Sequence, residues 1–408
     1  MSEFKTVSLC ILGRQPKLGL AELESLYGAE HIRPLHGAAI LDIPAEDIDF
    51  RKLGGTIKVA RVLTELDSFK WDDLVKYLVE KIPEHLEYVP ESKFTLGLSV
   101  YGVKVNPSRI NRSALELKKV IKKTGRSVRI VPNKSHALNS AQVLHNKLTN
   151  KGGWELIFIA NGRKTLLAQT FFVQDIEAYA ARDQARPARD ARIGMLPPKL
   201  AQIIINLAAG SPKPADQKNW DEADGFGRYL VLDPFCGTGV ILQESLLMGY
   251  SVYGTDIDPR LVEYSKKNLQ WLVDKYPAIE GKVTVEAADA TDYQWPGFSA
   301  IASEAFLGRP LARFPDEVTL KKVVADANTI IKKFLTNLAP QLRPSQTICL
   351  AVPAWHKLNG QIIKLPLIDH LTDMGYNYSD LEWVQREELI YFREGQVVAR
   401  QLLRLKKA

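Results

Sequence analysis

The stretch LVLDPFCGTGVILQES, residues 230–245, predicts a buried strand, a tight turn with two glycines, and a helix in direct succession. The apolar strand ends at Asp233. Gly237 and Gly239 allow a ligand to approach the backbone closely, because neither residue has a Cβ atom. The N-terminus of the following helix offers free N–H groups and a partial positive charge. This stretch therefore predicts a ligand-binding turn at the edge of a sheet.

The sequence after this turn alternates between strand and helix patterns, which is typical of a parallel, doubly wound sheet. The predicted strands are Tyr229–Asp233, Ser251–Asp256, Lys282–Glu286, Ser299–Ser303 and Gln346–Val352, and the predicted helices are Gly239–Met248, Pro259–Leu272, Leu320–Leu338 and Gln361–Met374. At the end of the chain, Glu388–Phe392 and Val397–Leu405 flank a short turn and predict an antiparallel hairpin.

Acidic residues follow the second and third of these strands. Asp256 ends the second strand, where a carboxylate can bind both hydroxyls of a ribose. Asp289 lies in the loop after the third strand, either as an acceptor for an adenine amino group or simply as a turn residue. Asp258 precedes Pro259 and is predicted to cap a helix. A dinucleotide fingerprint requires a third glycine where this chain has Leu242, so the pattern favours a smaller nucleoside over a nicotinamide cofactor.

The first half of the chain predicts further α/β structure. Residues 1–58 are interpreted as a small α/β unit, residues 59–175 as a second unit, residues 176–228 as a connector, and residues 229–408 as the sheet domain introduced above. The elements predicted before the connector are a helix over residues 18–28, a strand at Ala39–Ile43, a short helix at Asp47–Leu53, strands at Phe94–Tyr101, Val128–Val131, Glu155–Ala160 and Thr165–Phe172, and helices at Asn111–Lys123 and Ser140–Leu148. The connector contains a predicted helix, Pro198–Ala209, and a polar loop, Ser211–Phe226.

Composition excludes several classes of protein. The chain has 408 residues, of which 46% are hydrophobic and 25% charged, values ordinary for globular proteins. No apolar run approaches a membrane span, and Val7–Leu12 is too short for a signal peptide, so a cytoplasmic location is expected. Three scattered cysteines argue against a disulfide framework, and no histidine or cysteine spacing indicates a metal site.

Charge is concentrated in one window. Tyr101–Thr170 contains 14 Lys and Arg residues but only two acidic residues, Glu116 and Glu155, whereas the whole chain carries +7. A window with a formal charge of +12 indicates either a polyanionic partner or a solvated basic surface.

The motifs together resemble a known family. DPFCGTG, GTDID and ADAT look like the S-adenosylmethionine site of class I methyltransferases. LGRQPKLGLAELESLYG, LGGTIKVA, PPKLAQIIINLA and YFREGQVVARQL extend the likeness over nearly the whole chain. On these segments the sequence resembles the RNA guanine-N2 methyltransferases with an N-terminal THUMP domain, particularly the tRNA guanine-10 N2-methyltransferases.

The resemblance implies a fold, a cofactor and a partner. It implies a Rossmann-like methyltransferase domain, a THUMP-like RNA-binding domain over residues 59–175, S-adenosylmethionine as cofactor, tRNA as partner, and room for a small activating subunit. The implied cofactor-binding residues are Asp233, Phe235, Gly237, Thr238, Gly239, Asp256, Ile257, Asp289, Ala290 and Pro198, the last on a helix that closes over the cofactor. The implied RNA-binding residues are Lys118, Lys119, Lys122, Lys123, Arg126 and Lys134.

The resemblance also implies a catalytic motif after the fourth strand, where such enzymes have D/N/S-P-P-Y/F. An exocyclic amine is a poor nucleophile, and acceptors for its N–H groups help its nitrogen become tetrahedral. Here the segment is Ser303, Glu304, Ala305 and Phe306. Ser303 is expected to be an acceptor and Phe306 to stack on the base. Glu304 and Ala305 replace both prolines, and Glu304 adds a carboxylate that can accept a proton.

Three functions compete on the sequence. The first is methylation of a guanine N2 amino group in tRNA. The second is a tRNA-binding homologue that has lost catalysis through changes in this motif. The third is methylation of a DNA amino group, but this function would not explain the basic window at Tyr101–Thr170.

Overall fold

The computed structural model describes residues 7–90, 93–190, 196–211, 229–308, 311, 313–344, 346–357 and 360–408. Nearly all of the polar loop predicted at Ser211–Phe226 therefore lies outside the described residues. The chain divides into two compact units. The first unit contains Glu30–Arg51 and Thr56–Ala178 together with the start of the chain up to Pro16, and the second contains Lys17–Ala29, Lys52–Gly55 and Tyr179–Ala408.

The first unit is built on one eight-stranded sheet in the order β2-β3-β1-β4-β8-β7-β5-β6. Its strands are β1 (Ser8–Leu12), β2 (Ile32–Leu35), β3 (Ala38–Leu41), β4 (Thr56–Leu66), β5 (Phe94–Tyr101), β6 (Val128–Ile130), β7 (Gly153–Asn161) and β8 (Lys164–Val173). The boundary predicted at residue 58 falls inside β4, which pairs with β1 on one side and β8 on the other. One sheet thus joins strands from both predicted N-terminal segments.

Two helices, α2 (Trp71–Leu86) and α3 (Pro107–Lys123), bury their apolar faces in one core of this unit. Trp71 anchors α2, since its ring lies 5.5 Å from that of Phe158 and its indole N–H donates to Ser113 at 3.0 Å. The short helix α4 (Ser140–His145) begins with a capping box from Asn139. The short helix predicted at Asp47–Leu53 is instead two separate 3₁₀ turns, Ala45–Asp47 and Phe50–Lys52.

A buried ion pair crosses the first sheet. Lys58 on β4 contacts Glu155 on β7, and both side chains are at most 1% exposed. Ser99 and Thr170 also donate to this carboxylate, at 2.5 and 2.6 Å. Because Glu155 is held inside by Lys58, it does not offset the basic surface of the window around it.

The second unit contains the parallel sheet predicted from the sequence. Its main strands follow the order β11-β10-β9-β12-β13-β17-β15, and the first five are mutually parallel. They are β9 (Leu230–Asp233), β10 (Ser251–Asp256), β11 (Val283–Ala287), β12 (Ala300–Glu304), β13 (Thr347–His356), β15 (Tyr376–Tyr378) and β17 (Val398–Lys407). The predicted C-terminal hairpin is confirmed, because β16 (Ile390–Tyr391) pairs antiparallel with β17. The fold is α/β with a Rossmann-like parallel sheet.

Helices flank this second sheet. They are α1 (Pro16–Tyr27), α5 (Ile176–Gln184), α6 (Pro198–Ala209), α7 (Val240–Leu247), α8 (Pro259–Lys275) and α9 (Glu317–Leu338). The helix predicted at Gln361–Met374 is wrong. Ile362–Ile363 forms β14 against the end of β13, and Pro366 begins a single 3₁₀ turn, because the residue before a proline avoids the helical region. No helix within the described residues is both long and apolar enough to cross a membrane.

Glu22 connects α1 with other segments of the second unit. Its fully buried carboxylate accepts hydrogen bonds from Gly54 N–H at 2.9 Å, Gly55 N–H at 2.8 Å and the Asn206 amide at 2.8 Å. Burial nevertheless outweighs these donors and raises the pKa of Glu22 to about 7. The folded chain therefore keeps a proton on Glu22 that the unfolded chain releases.

This proton predicts a pH dependence of stability. Between the ordinary and the raised pKa the folded state binds more protons, so the free energy of unfolding should fall as pH rises from about 4.5 to 7, on the order of 3 kcal/mol from Glu22. Chemical denaturation of Glu22→Gln across this range should show a flatter dependence. Glu263→Gln, at an exposed ion pair on α8, is the matched control and should keep the wild-type slope. Equal slopes for all three proteins would contradict the assignment.

Candidate functional site

A cavity of about 800 Å³ opens at the carboxyl ends of β9, β10 and β12. Parallel sheets bind ligands at this edge. Most of the residues that the sequence singled out line it, namely Asp233, Phe235, Gly237, Thr238, Asp256, Ile257, Asp289, Ala290, Glu304, Ala305 and Phe306. Gly239, Pro198 and Ser303 do not.

The glycine turn after β9 is fixed by backbone contacts. Cys236 N–H donates to Thr255 O at 2.8 Å and Gly239 N–H to Cys236 O at 2.7 Å. Gly239 has φ +84°, and a Cβ there would come within 2.4 Å of Ser265 Oγ. A Cβ on Gly237 would meet no atom within 4 Å, so this glycine borders open space in the cavity. Gly239 is therefore required for close packing against Ser265, whereas Gly237 faces the space in which a ligand would bind.

Asp256 connects the turn to the second strand. Its carboxylate accepts from Gly237 N–H and Asp258 N–H, each at 2.9 Å, while the residue also lines the cavity. Burial raises its pKa. Asp258 caps α8, as predicted, by accepting from Arg260 N–H at 2.9 Å. Asp256 therefore shapes the turn and offers a carboxylate to a ligand at the same time.

Asp289 and Ala290 form the third part of the cavity wall. Asp289 Oδ1 accepts from the N–H and the hydroxyl of Thr291, at 2.9 and 2.8 Å. Asp289 is thus a turn residue, one of the two predicted roles, and it also faces the cavity. Ala290 is buried, and its carbonyl accepts from Asn337 at 3.2 Å.

Ser303 lies behind the cavity wall. Its hydroxyl is fully buried and donates to Asp233 Oδ1 at 2.5 Å. Burial raises the pKa of Asp233 to about 7, although the hydrogen bonds from Ser303 and Phe235 N–H oppose the shift. The structure therefore differs from the expectation for Ser303, because this side chain supports Asp233 and none of its atoms lines the cavity.

Glu304 and Phe306 line the wall of the cavity at the end of β12. Glu304, the last residue of β12, accepts a hydrogen bond from Arg400 Nε at 2.7 Å. Burial raises the pKa of Glu304, and Arg400 counteracts that rise. Phe306 is 38% exposed, which leaves its ring available to another planar group. Burial raises the pKa of the Cys236 thiol well above its usual value, which disfavours the thiolate that a nucleophile requires.

Sequence reasoning missed residues that reach the cavity from distant segments. They are Asp190, Leu196, Arg260, Lys333 on α9, Arg400, and the turn Gly395–Val398. Leu196 lies two residues before Pro198, so the segment expected to close over the cofactor does contact the cavity, through a residue just before the helix and not through Pro198 itself. The likeness of YFREGQVVARQL to the family was a signal for Arg400, but it carried no residue role.

The predicted RNA-binding residues lie in the first unit. Lys119, Lys122, Lys123 and Lys134 are exposed and Lys118 is half-buried. Within the described residues, none of the five has an acidic partner within ion-pair distance. Arg126 differs, since its guanidinium donates to the carbonyls of Val89 and Pro90. Arg126 therefore holds a loop in this structure.

Comparison with known proteins finds curated relatives that match part of this chain. No family model matches the chain. Curated relatives that match part of the chain carry the name tRNA (guanine(10)-N2)-dimethyltransferase. The protein from Methanothermobacter thermautotrophicus is 42% identical over 182 residues, which cover 44% of this chain and 46% of the relative. The protein from Methanocaldococcus jannaschii is 30% identical over 133 residues, 31% of this chain and 32% of the relative. The match thus spans less than half the length of either relative.

The fold is shared with a solved structure. The crystal structure of TrmN from Thermus thermophilus aligns with 98% of this chain and 99% of its own, at 17% identity and a TM-score of 0.53. At this level of identity, the likeness shows a common fold.

Proposed function

We propose that this chain transfers a methyl group from S-adenosylmethionine to the N2 amino group of a guanine in tRNA, with guanine-10 as the target. The observation that carries the proposal is one cavity that joins two sets of residues. Asp256 and Asp289 lie beside the glycine turn, and Glu304 and Phe306 lie in the same wall at the end of β12. The names of the curated relatives support the same reaction and the same nucleotide.

The residues of the cavity fit this cofactor. The open space beside Gly237 accommodates a ligand against the backbone, and the carboxylate of Asp256 suits ribose hydroxyls. Asp289 would accept from the adenine amino group, and the 69% exposed Ile257 would cover the adenine face. Asp233 adds a carboxylate that suits a cationic ligand. When bound, the cofactor supplies a methyl group on a positively charged sulfur, which departs as a neutral thioether.

The chain's own residues would act on the base. Phe306 stacks on a guanine that has left its helix, a displacement that chemistry on a paired base requires. Glu304 accepts an N–H of the amino group, which favours a tetrahedral nitrogen, and then takes the proton released as the N–C bond forms. Most of the acceleration comes from orientation and electrostatics, because the methyl donor is already activated.

The first unit would bind the tRNA. Its exposed lysines would contact phosphates, which supply affinity and position with little sequence readout. We assign the THUMP-like role to the segment 59–175 within this unit. The test below compares the chain alone with the chain plus cell extract, because an extract would supply a small activating subunit if the reaction requires one.

The test uses purified full-length chain, labelled S-adenosylmethionine and unmodified tRNA transcripts. Nucleoside mass spectrometry should find N2-methylated guanosine, and a transcript with adenine at position 10 should lose it. Cofactor binding without label transfer to any tRNA, with or without extract, would establish the non-catalytic homologue instead. Equal transfer to DNA would overturn the choice of RNA.

A further inference from the structure

Glu304 and Arg400 form a buried ion pair in the wall of the cavity. The two side chains are 14% and 7% exposed, and Arg400 Nε donates to Glu304 Oε1 at 2.7 Å. Both residues also line the cavity. The pair is therefore shielded from bulk water and still reachable by a ligand.

The sheet register brings these distant residues together. Glu304 on β12 pairs with Ala351, and Arg400 on β17 pairs with Pro353 two residues further along β13. Residues two apart on a strand share a face, so both side chains lie on the same face and meet across β13.

The hydrogen bonds of the pair leave one oxygen available. Within the described residues, Glu304 Oε1 accepts from Arg400, whereas Oε2 accepts no hydrogen bond. Because Glu304 lines the cavity and Oε2 is not among the fully buried unpartnered atoms, this oxygen can accept a hydrogen bond from a ligand. The neighbouring guanidinium favours the ionised carboxylate, which can accept but cannot donate.

The bases differ in what they offer to such an acceptor. Guanine presents two adjacent donors, N1–H and the N2 amino group, whereas adenine presents an acceptor, N1, next to its amino group. A fixed carboxylate matches the first edge and repels the second. Ser303 cannot share this task, since its hydroxyl is committed to Asp233.

We propose that Arg400 holds Glu304 ionised and in one orientation, and that the pair selects guanine by accepting its N1–H and N2–H groups. This inference rests on the proposed function and assigns its base specificity. Glu304 is the residue that touches the base, and Arg400 is a positioning residue.

The test compares two target bases that share the N2 amino group. Transcripts would carry guanine or 2,6-diaminopurine at the target position, because diaminopurine keeps the amino group but has an acceptor at N1. The wild-type chain should prefer guanine by about a hundred-fold in kcat/KM, since an acceptor facing the carboxylate is left unpaired. Glu304→Gln should lower kcat/KM for guanine and reduce the preference to within about three-fold, because its amide can donate to N1.

Variants of the arginine separate positioning from folding. Arg400→Gln should lose most of the base preference, and Arg400→Lys should restore part of it. Arg404→Lys is the matched control, because Arg404 is a half-buried arginine on the same strand that donates to Leu207 O and Ser379 and does not line the cavity. It should keep the wild-type preference.

The outcomes distinguish this inference from the proposed function. Methylation of guanine and diaminopurine at equal rates by the wild-type chain would overturn the inference and leave the function standing. An unchanged preference in Glu304→Gln would do the same. Absence of transfer to either transcript, with cofactor bound, would overturn the function itself.

Discussion

Replacing Asp256 with alanine should abolish binding of S-adenosylmethionine. The carboxylate accepts from Gly237 N–H and Asp258 N–H, so its loss frees both backbone donors and loosens the turn that borders the cavity. It also removes the acceptor proposed for the ribose hydroxyls. Together these changes should cost about 4 kcal/mol, or roughly a thousand-fold in Kd. Isothermal titration calorimetry of the full chain with S-adenosylmethionine measures this directly.

Two further variants make the result decisive. Asp256→Asn keeps one acceptor oxygen and should lose about ten-fold. Asp316→Ala is the matched control, because Asp316 caps α9 on the surface and does not line the cavity. It should lower stability by about 1 kcal/mol and leave Kd unchanged. Wild-type affinity in a folded Asp256→Ala chain would refute the cofactor site.

The parts of the site that follow single strands could be predicted from the sequence. A strand, a glycine turn and a helix are contiguous in LVLDPFCGTGVILQES, so local pattern determines where Asp233 and Gly237 lie. The edge at which parallel strands end is also a general property of the fold. These regularities explain why Asp289 and Glu304, each at or after the end of a parallel strand, line the same cavity as Asp256.

The rest depends on contacts between distant segments, for which a single sequence has no signal. Arg400 reaches Glu304 only because β17 runs antiparallel to β13 in a particular register. Ser303 was expected to face the substrate, but alternation along β12 and the neighbouring Asp233 turn it inward. Glu22 is a charged residue in the helix α1, where the sequence alone would place it at the surface. It is fully buried, and its carboxylate accepts hydrogen bonds from Gly54 N–H, Gly55 N–H and the Asn206 amide.

The first unit shows the same limit in its sheet. β4 is a long strand, Thr56–Leu66, yet its sequence TIKVARVLTEL contains three charged residues, Lys58, Arg61 and Glu65. One of them, Lys58, is buried by its pairing with Glu155, which local pattern could not indicate. The predicted boundary at residue 58 therefore separated strands that share one sheet.

The basic window carries the second large prediction. Lys118, Lys119, Lys122 and Lys123 lie on α3 away from its apolar face, which is formed by Ile110, Ala114, Leu117 and Ile121. Glu155, one of the two acidic residues in the window, is buried and leaves their charge uncompensated. Glutamine at all four positions should weaken tRNA binding by about a hundred-fold at 0.1 M salt and reduce the slope of log K against log salt by about 3, since each phosphate contact contributes nearly one unit.

Filter binding over a series of salt concentrations measures both quantities. The matched control replaces four exposed lysines of the second unit, Lys266, Lys267, Lys275 and Lys282, by glutamine, which makes the same change in net charge. If α3 contacts the phosphates, only the first set alters the slope, because a general loss of charge affects both sets equally. Equal effects of the two sets would show that the α3 lysines are solvated surface charges, and the tRNA contact would then have to lie elsewhere on the chain.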